Sequence, residues 1–435
     1  MKQLNILILL LLINISFAQS LLDELTSGNQ QSPSYELNGY IRSGIYAGKN
    51  PLNNKIHSKS AYAEAALKIK VTKFDFGNAF ADIRFNKSLL NKNSEIDINL
   101  NEAYVNVYLD NFDFRIGEQI VVWGKADGYN PTNNITPMNI FLFSPEEDDR
   151  RKGNFLLRGF YNFDLFRIEA IWIPVFESSY FPLENLSLPD KITMKSPDHP
   201  SHDFSQSSVA VRLHYEHPDI DGSISYFNGF LPQSGIKVNH LPDNKAEIFL
   251  SPYRSHVLGF DFSTTVGNYG LRGEFSYTIP FDDKTLTEST PGKQLEYIVG
   301  VDFERGDWSF IFQYLGKYVN DFNKPIFFSY EFSNLINNYV LNMNRLILST
   351  TDEISHSVSF RPSVKLLNET LSIELLGQAK LTSSELFLKP KIIYDITDDL
   401  EVTCGAQLFF GDDNTLYDKI SKTSSALFLE VKASF

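Results

Sequence analysis

The sequence predicts an all-β fold, a transmembrane antiparallel up-and-down β-barrel of about 18 strands, with 16 as the alternative count. Four observations lead there. In the last ten residues Leu427, Leu429, Val431, Ala433 and Phe435 alternate with Phe428, Glu430, Lys432 and Ser434, giving one apolar and one largely polar face at a period of two. After residue 18 no run of about 18 apolar residues occurs, which excludes a spanning helix. The chain nonetheless carries 36 Phe and 21 Tyr at a mean hydropathy of -0.19, the balance expected when apolar side chains fall at every second position. Finally, short and long connections alternate along the chain.

Taken in order, residues 1–18 read as a secretory signal. Lys2 gives a positive start, residues 4–15 an apolar stretch, and Ser16-Phe17-Ala18 a small-x-small cleavage site. Residues 19–33 form a short periplasmic segment in which Leu21, Leu22 and Leu25 can make one helical turn or a small hatch. That is too little chain for the globular plug of a 22-stranded receptor. Residues 34–435 form the barrel.

Period-two patterning places its strands at 34–47, 61–72, 76–87, 98–109, 112–121, 154–163, 165–174, 207–216 and 220–230. The second half follows at 253–266, 269–279, 294–304, 308–317, 355–366, 370–380, 385–395, 401–410 and 425–435. Tight turns fall at 73–75, Asp110-Asn111, Asp164, His217-Pro218-Asp219, Gly267-Asn268, Arg305-Gly306-Asp307, Asn368-Glu369 and Thr397-Asp398-Asp399. Mostly longer loops lie between them. This asymmetry belongs to bacterial outer-membrane barrels, with an even strand number and both termini in the periplasm. A soluble sandwich has no reason to sort its loops by length.

Alternation also sorts the side chains. Ala63, Ala65, Leu67, Ile69 and Val71 face lipid, while Glu64, Lys68 and Lys70 face the lumen; Ala103, Val105 and Val107 oppose Glu102, Tyr104 and Asn106. Further inward sets are Asp82 with Arg84, Arg167 with Glu169, Arg212 with Glu216, Arg272 with Glu274, and Lys389 with Lys391. A charge on the lipid face near the midplane costs about 2 to 4 kcal/mol, so these residues must point inward. There they either pair across strands and stiffen the wall or line a wet lumen of both signs.

Residues 122–153 join the fifth and sixth strands and are rich in Gly, Pro and Asn, the composition of a shaped loop. Asp127, Asn130 and Thr132 can cap short turns. Glu146, Glu147, Asp148 and Asp149 are followed by Arg150, Arg151 and Lys152, a block that can pair internally or set the field of a constriction. The candidate pore residues are Arg115, Trp123, Lys125, Asp127, Glu146, Glu147, Asp148, Asp149, Arg150, Arg151, Arg158 and Arg212.

The stretch 115–176 contains Trp123-Gly124, Ala126-Asp127, Asn130-Pro131-Thr132, Thr136-Pro137, Pro145-Glu146, Asp149-Arg150 and Trp172-Ile173-Pro174. In these residues the chain resembles a porin-like outer-membrane family of unknown function, itself similar to the alginate-export and phosphate-selective porins. The resemblance covers about 60 residues. It implies a monomeric or homotrimeric barrel with this loop folded inward, and it supplies neither a substrate nor catalytic residues. The terminal Phe435 resembles the signal that such barrels present to the barrel-assembly machinery.

Other function classes find little purchase. There is no Gly-Lys-Ser/Thr phosphate loop and no Gly-x-Ser-x-Gly elbow, so the chain reads as a non-enzyme without cofactor. His199 and His202 with Asp198 and Asp203, and Asp412-Asp413-Asn414, read as solvated loop sequence in preference to metal sites. Net charge of -14 argues against nucleic acid, and the single Cys404 allows no internal disulfide. The expected function is a passive channel for small solutes in the Gram-negative outer membrane. The alternatives are a transporter of hydrophobic or lipid-like molecules working with periplasmic partners, and a surface receptor or adhesin acting through the outer loops at 177–204, 231–252 and 320–352.

Overall fold

The computed structural model describes residues 34–50, 53, 55–74, 76–91, 94–181, 188, 191–201, 203–322 and 331–435. The signal segment 1–18, the segment 19–33 and His202 lie outside the described residues. Eighteen strands form one closed antiparallel sheet. In chain order they are β1 (Ser34–Lys49), β2 (Ile56–Phe74), β3 (Gly77–Ser88), β4 (Asp97–Leu109), β5 (Phe112–Gln119), β6 (Asn154–Phe163) and β7 (Phe166–Ile173). After β8 (Ile192–Met194), which stands outside the barrel, come β9 (Ser208–His217) and β10 (Ile220–Phe230). Two more strands outside the barrel, β11 (Gly235–Leu241) and β12 (Lys245–Ser251), precede β13 (Arg254–Val266), β14 (Tyr269–Pro280), β15 (Gln294–Arg305) and β16 (Trp308–Val319). The remaining wall is β17 (Ile354–Leu366), β18 (Leu371–Lys380), β19 (Glu385–Thr397), β20 (Leu400–Gly411) and β21 (Ala426–Ser434). The predicted strands coincide with these within a few residues, except that β2 begins at Ile56.

Closure joins the chain ends. β21 pairs with β1 from Tyr40 opposite Ser434 to Ala47 opposite Leu427. Phe435 and Gly39 then exchange both backbone bonds at 3.0 Å. A closed ladder leaves no edge strand, which a bilayer requires because lipid cannot satisfy open N–H and C=O groups.

The alternation is realised on every strand. In β1, Ile41 and Ile45 are exposed to the outside, while Tyr40, Arg42 and Tyr46 are buried toward the lumen. On the outer surface of β5 to β9, Phe112, Phe114, Tyr161, Phe163, Phe166 and Tyr215 form an unbroken row of ring contacts, the aromatic girdle of the periplasmic interface. The tight turns lie at that end. Asp110 and Asp164 take positive φ there (48° and 46°), as does Gly267 (62°), conformations that suit Asp and Gly in two-residue hairpins.

Three local irregularities aim side chains inward. The register shift between Asp82 and Ile83 lets Asn101 and Glu102, adjacent in β4, both serve the interior. Asn101 donates to Asp82 at 3.0 Å, and Glu102 accepts from the Ile120 N–H at 2.9 Å. Pro362 and Pro390 lack an N–H, and the β17–β18 and β19–β20 pairings skip Arg361-Pro362 and Lys389-Pro390. Arg361 and Lys389 face the lumen beside those interruptions.

The long loops carry structure that sequence patterning did not anticipate. β8, β11 and β12 form a separate sheet, and a helix spans Phe332–Ile347. Ile192, Ile236, Ala246, Ile248, Leu250, Ile336 and Val340 make a second apolar core there. The Asn344 side chain accepts from the Ile236 N–H at 2.6 Å and donates to the Ile236 and Thr287 carbonyls at 2.8 and 2.7 Å. Arg345 donates twice to Glu288, at 2.8 and 2.7 Å. Four outer loops are thereby fastened into one cap. A shorter helix, Leu416–Ser424, starts at Thr415, whose hydroxyl accepts from the Asp418 N–H.

Candidate functional site

The segment between β5 and β6 crosses the lumen. Its contacts with inward side chains reach almost every sector of the wall, from β1 and β3 through β7, β10 and β14 to β17 and β19, so no outward course is compatible with them.

Its first half is held by apolar packing. Val121, Trp123 and Ile135 join Leu156, Ile171, Ile173, Ala210, Phe227, Leu231, Tyr253 and Val257 in one buried cluster on the inner face of β6 to β13. Trp123 donates its indole N–H to Glu169 at 3.2 Å, and the Arg212 guanidinium lies over its ring at 5.4 Å. Glu169 also pairs with Arg158 at 2.6 Å and with His214 at 3.2 Å, while Arg212 pairs with Asp261 at 2.8 Å. Arg158 and Arg212 are therefore neutralised within the wall, Arg158 by an acid on the adjacent strand and Arg212 by one two strands away. Arg115 lies nearer the periplasmic end, over the Tyr104 ring at 4.2 Å, and donates to Asn106 at 2.6 Å.

A single wall carboxylate organises the next turn. Glu274 of β14 accepts from the N–H groups of Lys125 and Ala126 at 2.6 Å each, from Asn130 at 2.8 Å and from the Thr132 hydroxyl at 2.9 Å. Asn130 and Thr132 both act through this carboxylate, and Asn130 also donates to the Ala126 carbonyl at 3.0 Å, the local turn bond expected of it. Gly124 adopts φ 107°, and a Cβ there would stand 2.4 Å from Glu274 Oε1, so glycine is required for the approach. The Lys125 ammonium reaches Asp221, and Tyr129 donates to Glu296 at 2.9 Å.

The second half is held by charge. Asp149 bridges two wall cations, Arg42 at 2.6 Å and Arg84 at 3.0 Å, and accepts from the Ser144 hydroxyl. Arg42 pairs in turn with Glu64 at 2.7 Å. Glu147 accepts from Arg361 at 2.7 Å, and Asp127 lies 3.1 Å from the same guanidinium. Lys389 donates to the carbonyls of Ser144 and Pro145 at 3.3 and 2.7 Å, and Lys391 stands 3.6 Å from Glu146. Asp148 points to solvent and pairs within the block, with Arg151 at 2.6 Å. Arg150 makes no side-chain hydrogen bond or ion pair among the described residues, and burial pulls its pKa below the ordinary guanidinium value despite the nearby Glu147.

These pairings move the loop carboxyls. Burial by itself raises Glu147, but Arg361 outweighs it and holds the carboxyl below its ordinary value. Burial likewise opposes Asp149, and Arg42, the Ser144 hydroxyl and Arg84 together bring it below its ordinary value.

The block thus pairs mostly with the wall and little with itself. Among its wall partners, Arg84, Lys389 and Lys391 were legible as inward residues, whereas Arg42 and Arg361 were not singled out. Their signal was the same alternation, Arg42 between Ile41 and Ser43 and Arg361 between Phe360 and Pro362. Elsewhere, Asp198 pairs with Lys195 at 3.7 Å and Asp203 accepts from Ser201 at 2.8 Å; among the described residues these side chains form no metal-binding cluster.

A closed 18-stranded barrel with an apolar exterior and a charged loop folded across its interior has the architecture of the outer-membrane porins, and its greasy outer band places the chain in the outer membrane. No family model matches the sequence, and no curated protein matches it. Solved structures do. OpdK of Pseudomonas aeruginosa, solved with vanillate, is similar at a TM-score of 0.55 and 10% identity over 92% of this chain and 98% of that one. OccAB4 of Acinetobacter baumannii aligns at 0.55 and 10% identity over 94% and 99%. A BenF-like porin from Pseudomonas fluorescens Pf-5 aligns at 0.55 and 9% identity over 94% and 99%. At this identity the likeness establishes the shared fold.

Proposed function

We propose that the chain is an outer-membrane channel that lets small water-soluble solutes pass down their gradients. The observation that carries this reading is the loop tethered to opposite walls. A barrel of 18 strands encloses more space than its own side chains fill, and a loop pinned across it narrows that space to a passage whose lining the charged residues choose. Arg115, Lys125, Asp127, Glu146, Asp148 and Arg151 are the groups that exchange with a solute's hydration shell, while Glu147 and Asp149 pin the loop's ionic half to the wall. Trp123, Arg158 and Arg212 hold the loop's apolar half in place.

The resemblance of residues 115–176 to a porin-like outer-membrane family of unknown function, itself similar to the alginate-export and phosphate-selective porins, supports the same class of channel. Because OpdK was solved with vanillate, vanillate is the first solute to try. Assembly through the Phe435 strand, as a monomer or homotrimer, completes the reading. Planar-bilayer recordings of the purified protein test it: stepwise conductance at neutral pH is expected, and silence at every voltage contradicts an open channel.

A further inference from the structure

We propose that the outer surface of the barrel carries a binding site for the phosphorylated headgroup of an outer-leaflet glycolipid, centred on Arg254 and His256. Both residues lie on the outward face of β13 at its extracellular end, in register with Phe230 and Asn228 of β10. Around them stand Phe230 and Phe281, whose rings lie 5.1 and 5.3 Å from the guanidinium. Trp172 and Phe204, stacked at 5.8 Å, extend the same aromatic band. Such a band marks the depth of the headgroups, where phosphates reside.

The charge on Arg254 is uncompensated. Its guanidinium donates to the Ser205 carbonyl at 3.0 Å, the Ser207 carbonyl at 3.2 Å and the Asn228 side chain at 3.1 Å, all neutral acceptors. No carboxylate pairs with it among the described residues, in contrast to the lumen arginines Arg42, Arg84, Arg158, Arg212 and Arg361. These bonds fix the fork without neutralising it, and cation–ring contacts on two sides hold it in place. His256 adds a second donor. Its Nδ1 lies 2.7 Å from the Tyr226 hydroxyl and its ring stacks on Phe281 at 4.3 Å, so with Tyr226 donating, the Nε2–H remains for an acceptor outside the barrel. The one Nη1–H left over from those bonds and an imidazole N–H two residues along the same strand face are the donors available to a phosphate, and the aromatic surround suits the acyl chains below it.

Native mass spectrometry of the detergent-solubilised barrel tests this independently of conductance. Bis-phosphorylated lipid A, its dephosphorylated counterpart and inorganic phosphate serve as probes. Retention of the phosphorylated lipid alone is expected, and Arg254→Gln should cut the bound fraction about fivefold, the factor one cation near an anionic headgroup supplies. Arg254→Gln combined with His256→Gln should cut it further, with the heat-modifiable gel mobility of the folded barrel retained. Equal retention of the dephosphorylated lipid would overturn the proposal without recourse to any variant. So would displacement of the glycolipid by millimolar inorganic phosphate, which would assign the site to a soluble anion.

Discussion

The two halves of the lumen loop are held by different physics. Residues 121–136 sink Val121, Trp123 and Ile135 into a dry cluster and hang four donors on Glu274. Residues 144–151 hold the wall chiefly through ion pairs with Arg42, Arg84, Arg361 and Lys391. Apolar burial is not weakened by charge screening or by titration, whereas ion pairs respond to both. The first half is therefore a fixed abutment, and the second is the half whose position solution conditions can change.

The largest break in this comparison comes from Trp123→Ala. Removing a fully buried indole leaves a cavity, costs about 3 to 5 kcal/mol and takes one of two partners from a Glu169 oxygen that keeps His214, so thermal unfolding followed by circular dichroism should shift strongly downward. Next is Glu274→Gln. It keeps the shape but removes the charge that collects four donors, a loss of about 1.5 to 3 kcal/mol by the usual worth of a hydrogen bond to a charged group. Bilayer recordings should then show fluctuation between sublevels, and a steady single level would contradict the abutment role of Glu274.

The ionic half gives a pH prediction. Glu147 and Asp149 are both held below their ordinary values, so the tether they supply is fully present above the ordinary carboxylate range and is lost as pH falls through the lowered values. Conductance noise should therefore rise as the bath is taken below about pH 4, and Asp149→Asn should show that noise already at neutral pH. The smallest effect belongs to Lys365→Gln, which breaks an exposed pair with Glu369 at a periplasmic turn. Unfolding and conductance should both be unchanged, because exposed pairs of this kind contribute little.

Legibility in the sequence divides along similar lines. All eighteen wall strands were readable because lipid outside and water inside impose a period of two on every one of them, and the tight turns at Asp110 and Asp164 announce themselves by residue type. The acidic block 146–149 was readable as a block. Its partners were not, because Arg42 and Arg361 lie far away in sequence and nothing local to Asp149 or Glu147 names the strand it will meet. Glu274 was visible as an inward residue, but its four donors belong to a turn whose path only the tertiary structure fixes.

The outer cap was missed for a different reason. Residues 231–252 and 320–352 were read as plain loops, although Phe332, Ile336, Val340 and Ile347 recur at helical spacing and Ile236, Val238, Ile248 and Leu250 at strand spacing. That pattern was present, and it was overshadowed by the longer regularity of the wall.

The central claim is that the segment between β5 and β6 lies across the lumen and sets the size of the passage. Single-channel conductance in planar bilayers, comparing the native chain with one in which residues 122–152 are replaced by a short Gly-Ser linker, tests it most directly. A larger unitary conductance in the replaced chain, with folding confirmed by heat-modifiable mobility, is the predicted result. An identical conductance from a folded barrel would place the loop outside the conducting path and contradict the account.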